Sequence, residues 1–434
     1  FYNYLCSLFF MMSLVAELKW RGLLHQTTPG IDEQLEKEMT SGYVGFDPTA
    51  DSLHIGNLVP VMLLVHLQKH GHKPIALVGG ATGLVGDPSG KTKERQLLDE
   101  AAIQHNLDCQ KNQLMKFLDF DCGENSAEMV NNYDWFKNFG FLEFIRDVGK
   151  HISVNYMMSK ESVKMRLKSG ISFTEFSYQM IQGYDFCWLN ANKNVKLQMG
   201  GSDQWGNITT GAEMVRRINQ GESYAITAPL IKKADGSKFG KSEGGNVWLD
   251  AEKTSPYKFY QFWYNASDED VKSYIRIFTF LSKEEIEALE KEHDENPGGR
   301  LLQKTLAAEV TTYIHGKQEL ENAIKASEVM FSKSVEDLKS LDQRTFLEIF
   351  DKEGPKELSK SEIVGMGMID ALAGKTGFLA SNSEARRALK ENSVSVNKSK
   401  VPENYTFREA DILNGKYILL ERGRKKKFVI LVKE

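Results

Sequence analysis

His54-Ile55-Gly56-Asn57 and, far downstream, Lys238-Phe239-Gly240-Lys241-Ser242 are the residues of this chain whose types and spacing suit chemistry. A histidine and an asparagine at the start of a helix can donate to phosphate oxygens, and the glycine between them leaves room for a purine. Two lysines three apart around a glycine, after the turn-rich Ala234-Asp235-Gly236, suit a transition state in which charge moves onto leaving pyrophosphate. Together they predict a site that activates a carboxylic acid with ATP. Taken singly, each has a plainer reading, a capped helix with an incidental histidine or a solvated hairpin tip. Their order, their separation and the strand-like runs before both favour the site.

Tyr178, Gln182 and Asp185 fall at i, i+4 and i+7, on one stripe of a helix. Their neighbours Phe173, Phe176 and Phe186 suggest burial, and a buried carboxylate needs a partner such as a substrate hydroxyl. The alternative is an exposed polar stripe. The glycine-rich run 79–92 invites a phosphate-loop reading, but only three residues separate Gly86 from Gly90, one too few for that loop. The glycines fit instead a turn after a buried strand, with Asp87 at the carboxyl end of a sheet. Lys91 and Arg95 share a helical face and can reach a polyphosphate.

Positioning these groups requires alternating strands and helices. Residues 42–46 read as a strand, 58–69 as an apolar helix and 74–78 as a second strand, a unit whose default is a parallel sheet. Residues 196–201 repeat the pattern, with a helix over 210–220. Between them an insertion, 131–170, carries Tyr133, Trp135, Phe136, Phe139, Phe141 and Phe144, which suit either core or a subunit contact. The pattern is helical over 255–331, with Ser282-Lys283-Glu284-Glu285 as a capping box. Gly354-Pro355 breaks a linker, 351–361, and the tail pairs a helix, 383–391, with strands at 393–397 and 416–421. The fold class expected is α/β: a Rossmann-like parallel-sheet catalytic domain over 1–250, a helical domain over 251–350, and a small basic α+β domain over 362–434.

The 434 residues suit about three domains, and 41% hydrophobic with 26% charged is an ordinary globular balance. Net charge is −4, yet residues 360–434 hold 15 Lys/Arg against 9 Asp/Glu. That +6 tail on a −10 body predicts a localised polyanion partner. Cys6, Cys109, Cys122 and Cys187 are scattered, which predicts neither disulfides nor structural zinc and suits a cytoplasmic setting. His66 and His70 share a helix face ending at Gly71, read as terminal capping rather than metal binding. The apolar run 1–15 is too short to span a membrane and lacks a signal peptide's basic start, and Met11 or Met12 is the expected native start. No metal site is expected.

Longer strings now bear on the family. Gly45-Phe46-Asp47-Pro48-Thr49-Ala50-Asp51-Ser52-Leu53-His54-Ile55-Gly56, Ala81-Thr82-Gly83 with Gly86-Asp87-Pro88-Ser89-Gly90, Gly201-Ser202-Asp203-Gln204-Trp205-Gly206-Asn207 and Lys238 to Ser242 resemble the bacterial tyrosyl-tRNA synthetases, of class I, from about Leu14 onward. The resemblance implies that ATP, with its Mg2+, activates L-tyrosine to tyrosyl-adenylate, which then esterifies tRNA(Tyr), on a cytoplasmic homodimer joined at the insertion. It implies that Tyr43 and Asp185 meet the substrate phenol, Tyr178, Asp87 and Gln182 its ammonium, and Gln204 its carboxylate. Gly201 and Asp203 lie by the ATP ribose, Leu230 and Ile231 by adenine, and Asp47, Gly56 and Ser242 elsewhere along the nucleotide. His54, Asn57, Lys91, Arg95, Lys238 and Lys241 handle phosphates, and Arg386, Arg387, Lys390, Arg424, Lys425, Lys426 and Lys427 contact tRNA.

Two departures stand out. Asn57 occupies the family's usual second histidine, which keeps a donor and removes an imidazole. The tail resembles a small RNA-binding module but has Asn392 and Lys398-Ser399 where its turn glycines belong, and asparagine tolerates the left-handed conformation. A tryptophanyl enzyme is disfavoured by the tail and by the Tyr43 with Asp185 pair. An RNA-binding shell without catalysis is disfavoured by intact Lys238, Lys241, Asp87 and Gln204.

Overall fold

The computed structural model describes residues 12–89, 98–167, 170–237, 239–242, 245–351, 354–423 and 426–433. It divides into two compact units, Phe1–Thr254 with Phe262–Val310, and Ser255–Gln261 with Thr311–Glu434.

The first unit is built on six strands: β1 (Gln26–Thr27), β2 (Ser41–Phe46), β3 (Lys73–Val78), β4 (Glu128–Asn131), β5 (Val195–Gly201) and β6 (Tyr224–Ala228). Their spatial order is β1-β6-β5-β2-β3-β4. All neighbours run parallel except β1, which is antiparallel to β6 at the edge. The chain builds outward from β2 through β3 and β4, then returns to β5 on the other side. Such a reversal leaves a crevice at the strands' carboxyl ends, where open parallel sheets bind ligands. The Leu58–Lys69 helix that joins β2 to β3 is apolar nearly all round and almost wholly buried, as a helix covered on every side must be. It stops as the capping reading requires: His70 Nδ1 bonds to the His66 carbonyl at 2.8 Å and Gly71 has φ +81°.

The second half differs from expectation at one helix. It runs from Trp205 to Met214 and continues as a π-helical turn, Val215–Asn219, so it starts five residues before 210. Gly206, Asn207 and Thr209 are poor helix formers, but Gly211 lets this helix approach the Phe173–Lys193 helix closely: a Cβ there would lie 3.0 Å from Phe186 Cβ. The aromatics of the insertion divide between packed and exposed positions. Trp135 stacks on Trp188 with centroids 4.3 Å apart, and Phe136, Phe139 and Phe144 surround Tyr184. Phe141 and Leu142, by contrast, are 66% and 80% exposed. The Ser282 capping box forms with Glu285. A two-stranded hairpin, β7 (Lys241–Ser242) with β8 (Gly245–Asn246), completes this unit's sheets.

In the second unit five strands, β9 (Lys356–Ser359), β10 (Val394–Val396), β11 (Ser399–Lys400), β12 (Tyr417–Arg422) and β13 (Lys426–Lys433), are ordered β11-β10-β12-β13-β9. The alternation of β12 sorts its residues onto two faces. Ile418 and Leu420 join Val394, Val396, Ala385 and Leu389 of the Asn382–Lys390 helix, while Tyr417 and Leu419 pack with Phe346, Phe350, Leu338 and Val329. This corrects two sequence expectations. Residues 351–361 are not a bare linker, because β9 pairs in parallel with β13; its polar Lys-Glu-Leu-Ser sequence gives no apolar signal. The 251–350 segment is not one domain either, since Phe262–Val310 belongs with the first unit and Thr311 onward with the second. The glycine-poor turns survive in the left-handed region: Asn392 at φ 49°, Asn397 at 46° and Lys398 at 71°. Lys398 offsets its backbone cost by pairing with Glu421 at 3.1 Å and lying 5.0 Å over the Phe350 ring.

Candidate active site

The carboxyl ends of β2 and β5 open into a cleft of about 740 Å3. β2 brings Tyr43 and Asp47, and the Phe173–Lys193 helix brings Tyr178, Gln182 and Asp185. The predicted stripe thus faces the cleft and not solvent. Asp185 is 1% exposed; its Oδ1 accepts from Trp135 Nε1 at 2.9 Å and its Oδ2 from Asn132 Nδ2 at 3.1 Å. Burial outweighs these two bonds and pushes the carboxyl pKa from 3.8 up to about 8, with Asp47 adding to the rise. The Tyr43 hydroxyl is buried without a partner among the described residues, as are Gln182 Oε1 and Gln198 Oε1. Burial first, then the Asp185 charge, holds the Tyr43 phenol well above its ordinary pKa. Natural interiors leave few such groups unpaired, so the cleft floor presents polar groups that a bound ligand can pair.

Above the floor lies a bonded carboxylate set. Asp47 Oδ1 accepts from the Thr82 hydroxyl and Oδ2 from the Tyr178 hydroxyl, both at 2.8 Å. Asp47, expected along the nucleotide, therefore sits beside Tyr178. Asp87 Oδ1 accepts from the Ser89 N–H at 2.9 Å and Oδ2 from Gln204 Nε2 at 2.8 Å. Gln204 Oε1 accepts in turn from Asn207 Nδ2 at 3.1 Å. Gly201 and Asp203 follow from the end of β5, and Leu230 and Ile231 line the cleft after β6. A Cβ on Gly201 would meet Asp203 Oδ1 at 2.5 Å, so glycine lets that carboxylate fold over the strand end.

His54, Gly56 and Asn57 line the same cleft and also cap their helix. The His54 N–H donates to Asn57 Oδ1 and the Gly56 N–H to His54 Nδ1, both at 3.0 Å. A ring whose Nδ1 accepts carries its proton on Nε2, which makes His54 a donor. A Cβ on Gly56 would fall 2.8 Å from His54 Cε1. The space that Gly56 leaves is therefore filled by the imidazole and not kept open for a purine as expected, an arrangement that matches the capping reading. The lysine loop is tethered beside it: Val247 N–H bonds to the Gly240 carbonyl at 3.0 Å and Ile55 N–H to the Val247 carbonyl at 2.9 Å. Phe239 stacks on Phe278 with centroids 5.3 Å apart. Lys91, Arg95 and Lys238 lie outside the described residues, and Lys241 and Ser242 are described by their backbone only.

In the second unit Arg386, Arg387 and Lys390 are exposed along one helix. Lys426 is also exposed, while the Lys427 ammonium lies 4.8 Å over the Phe350 ring and so covers core as well as carrying charge. Arg424 and Lys425 lie outside the described residues. Sequence reading missed Asn132, Trp135, Thr82 and Gln198. Asn132 follows the carboxyl end of β4, a position that marks ligand-side residues in parallel sheets, and Trp135 was visible only as one aromatic of the insertion.

Residues 35–332 match the family described as tRNA synthetases class I (W and Y), and residues 350–431 the tyrosine--tRNA ligase SYY-like C-terminal domain. The tyrosine--tRNA ligase of Flavobacterium psychrophilum is 59% identical over 98% of this chain and 100% of its own length. The chain belongs to the class I tyrosyl-tRNA synthetases. Another tyrosyl relative, from Porphyromonas gingivalis, is 54% identical over 97% of this chain and 100% of its own length. Among solved structures, a C-terminally truncated mitochondrial tyrosyl-tRNA synthetase of Coccidioides posadasii superposes with a TM-score of 0.65 at 32% identity, covering 73% of this chain and 92% of that one. A tryptophanyl-tRNA synthetase of Encephalitozoon cuniculi, at 13% identity and a TM-score of 0.51 over 71% of this chain and 87% of that one, shares the fold alone.

Proposed function

We propose that this synthetase binds L-tyrosine phenol-first in the cleft and converts it to tyrosyl-adenylate. A tyrosine carboxylate oxygen attacks the α-phosphorus of ATP, a P–O bond forms, and pyrophosphate leaves with its Mg2+. A ribose hydroxyl at the 3' end of tRNA(Tyr) then attacks the activated carbonyl carbon and AMP departs. Tyr43 and Asp185 pair the phenol, Tyr178, Asp87 and Gln182 hold the ammonium, and Gln204 orients the carboxylate. Asp47 acts on the amino-acid side through its bond to Tyr178. Gly201 and Asp203 receive the ribose, Leu230 and Ile231 the adenine. His54, through Nε2–H, and Asn57 donate to phosphate oxygens, together with Lys91, Arg95, Lys238 and Lys241, while Gly56 and Ser242 shape that wall. Fixed donors aimed where charge develops stabilise the transition state without having to reorganise as the reaction proceeds.

One observation carries this reading: the Tyr43 hydroxyl, buried without a partner among the described residues, and the buried Asp185 line the same cleft, where a substrate hydroxyl can bond to both. Phenylalanine would leave the Tyr43 hydroxyl unpaired and give Asp185 no further donor. Tyrosyl-tRNA synthetases are themselves the standing illustration of this asymmetry, at about 10⁵ against phenylalanine. The exposed Phe141 and Leu142 face supports a homodimer joined at the insertion, the basic helix of the second unit supports contact with tRNA backbone, and a tRNA substrate supports a cytoplasmic setting. ATP–pyrophosphate exchange with tyrosine, tryptophan and phenylalanine in turn tests the assignment, with exchange expected for tyrosine alone.

A further inference from the structure

The Glu100–Leu114 helix carries Asn106, Gln110 and Gln113, at i, i+4 and i+7 and hence on one stripe. All three amides are spent on the segment 47–53, the backbone that leads into His54. Asn106 Nδ2 donates to the Pro48 carbonyl at 2.9 Å, and Gln110 Nε2 to the carbonyls of Ala50 at 3.0 Å and Asp47 at 3.3 Å. Gln113 Oε1 accepts the Leu53 N–H at 2.7 Å, and its Nε2 donates to Ser52 Oγ at 2.9 Å. Ser52 Oγ also accepts the N–H of Asp250 at 3.3 Å, and the Leu53 carbonyl accepts the N–H of Leu249 at 2.9 Å. Leu249 and Asp250 follow the β7–β8 hairpin that holds Lys241. Gln113 therefore sits where the histidine segment and the lysine-loop segment are joined.

Stability alone does not account for this stripe. An internal hydrogen bond nets about 1 kcal/mol, whereas a buried leucine yields roughly 1.5–3 kcal/mol. Amides at these positions specify where a backbone lies, which leucines could not do. We propose that Gln113 is a positioning residue for adenylate formation: it fixes the Ser52–Leu53 backbone that aims His54 at the ATP phosphates and locks it to the Leu249–Asp250 segment. This rests on the reading of the cleft as the adenylate site. The first arm is therefore the parent chain, since a parent that forms no tyrosyl-adenylate fails that reading before Gln113 is tested.

With an active parent, single-turnover adenylate formation is measured on the full chain beside equilibrium tyrosine binding and thermal melting. Gln113→Leu leaves the Leu53 N–H without its acceptor, and Gln113→Glu keeps it. For Gln113→Leu the turnover rate at saturating ATP falls roughly ten- to a hundredfold, the scale of a small misplacement of reacting groups, with tyrosine binding unchanged. Gln113→Glu restores most of the rate. Should Gln113→Leu not fold, Ser52→Ala removes the other half of the link and carries the same expectation. A parental rate in folded Gln113→Leu or Ser52→Ala, equal losses in the leucine and glutamate variants, or tyrosine binding lost in step with the rate overturns the proposal.

Discussion

Asp185→Asn is the perturbation that reads the cleft floor most finely. Asparagine fills nearly the same volume and its one carbonyl oxygen can keep the Trp135 bond, while its NH2 then faces the Asn132 NH2, so the change falls on the charge that pairs the substrate phenol and on one donor contact. A hydrogen bond to a charged group is worth about 1.5–3 kcal/mol, or roughly ten- to 150-fold in kcat/KM. Phenylalanine makes no such bond, so tyrosine loses this factor while phenylalanine changes little, and the discrimination ratio falls equally. The carboxyl pKa of about 8 adds a pH signature. Below that value the ionised fraction grows about tenfold per pH unit, so parental kcat/KM for tyrosine climbs toward pH 8 and then levels, as expected for a free-enzyme ionisation. The variant's profile lacks this rise. Linkage gives the matching sign for the ligand-free protein. The folded pKa is raised above the ordinary 3.8, so the native state holds the extra proton and stability contributed by Asp185 is lost as pH rises from about 4 to about 8. Asp185→Asn removes that slope, which melting curves across this range detect. Unchanged discrimination together with superimposed pH profiles would show that Asp185 does not pair the phenol.

Replacing Arg386, Arg387 and Lys390 together by alanine should leave pyrophosphate exchange intact and weaken tRNA charging, with the salt dependence of tRNA binding shallower by about 0.7–0.9 in log–log slope per lost phosphate contact; an unchanged slope contradicts the assignment. Arg166 and Glu175 form a buried pair at 2.6 Å with side chains 5% and 3% exposed. Arg166→Met strands the carboxylate and should cost about 3–5 kcal/mol in urea unfolding, whereas the double variant with Glu175→Leu recovers most of it. A double variant no more stable than the single one shows that the pair is not what matters there.

Much of the site was legible because its residues lie in continuous strings. His54 to Asn57, Asp87 and Gln204 each sit in a run whose glycines and turns announce a strand end, and Tyr178, Gln182 and Asp185 share a helical period. What the sequence hid is long-range pairing. Nothing local tells that Trp135 and Asn132 hold Asp185, that Tyr178 spends its hydroxyl on Asp47 across 131 positions, or that Gly56 is required by the His54 ring. Of the parallel strands, β2, β3 and β5 were readable, β3 most plainly because nearly all of it is apolar and buried. β4, with Glu128 and Asn131 at its ends and none of its residues fully buried, and β6 were not. β9 was not, because only Leu358 of its four residues is buried and its pairing with β13 is made by backbone. For the same reason the second unit's borders were misplaced: Tyr417 and Leu419 need Phe346 and Phe350, so the tail and the preceding helices form one core. A truncation at Lys360 would uncover that core, which makes surface substitutions the cleaner test of tRNA contact.

In the proposed function a tyrosine phenol completes the Tyr43 and Asp185 pair in a cleft that activates it with ATP. Pyrophosphate exchange by the full chain with tyrosine, tryptophan and phenylalanine measures this most directly. Exchange with tyrosine, abolished for phenylalanine and tryptophan, is the predicted result. Comparable exchange with phenylalanine, or none with tyrosine, contradicts the account.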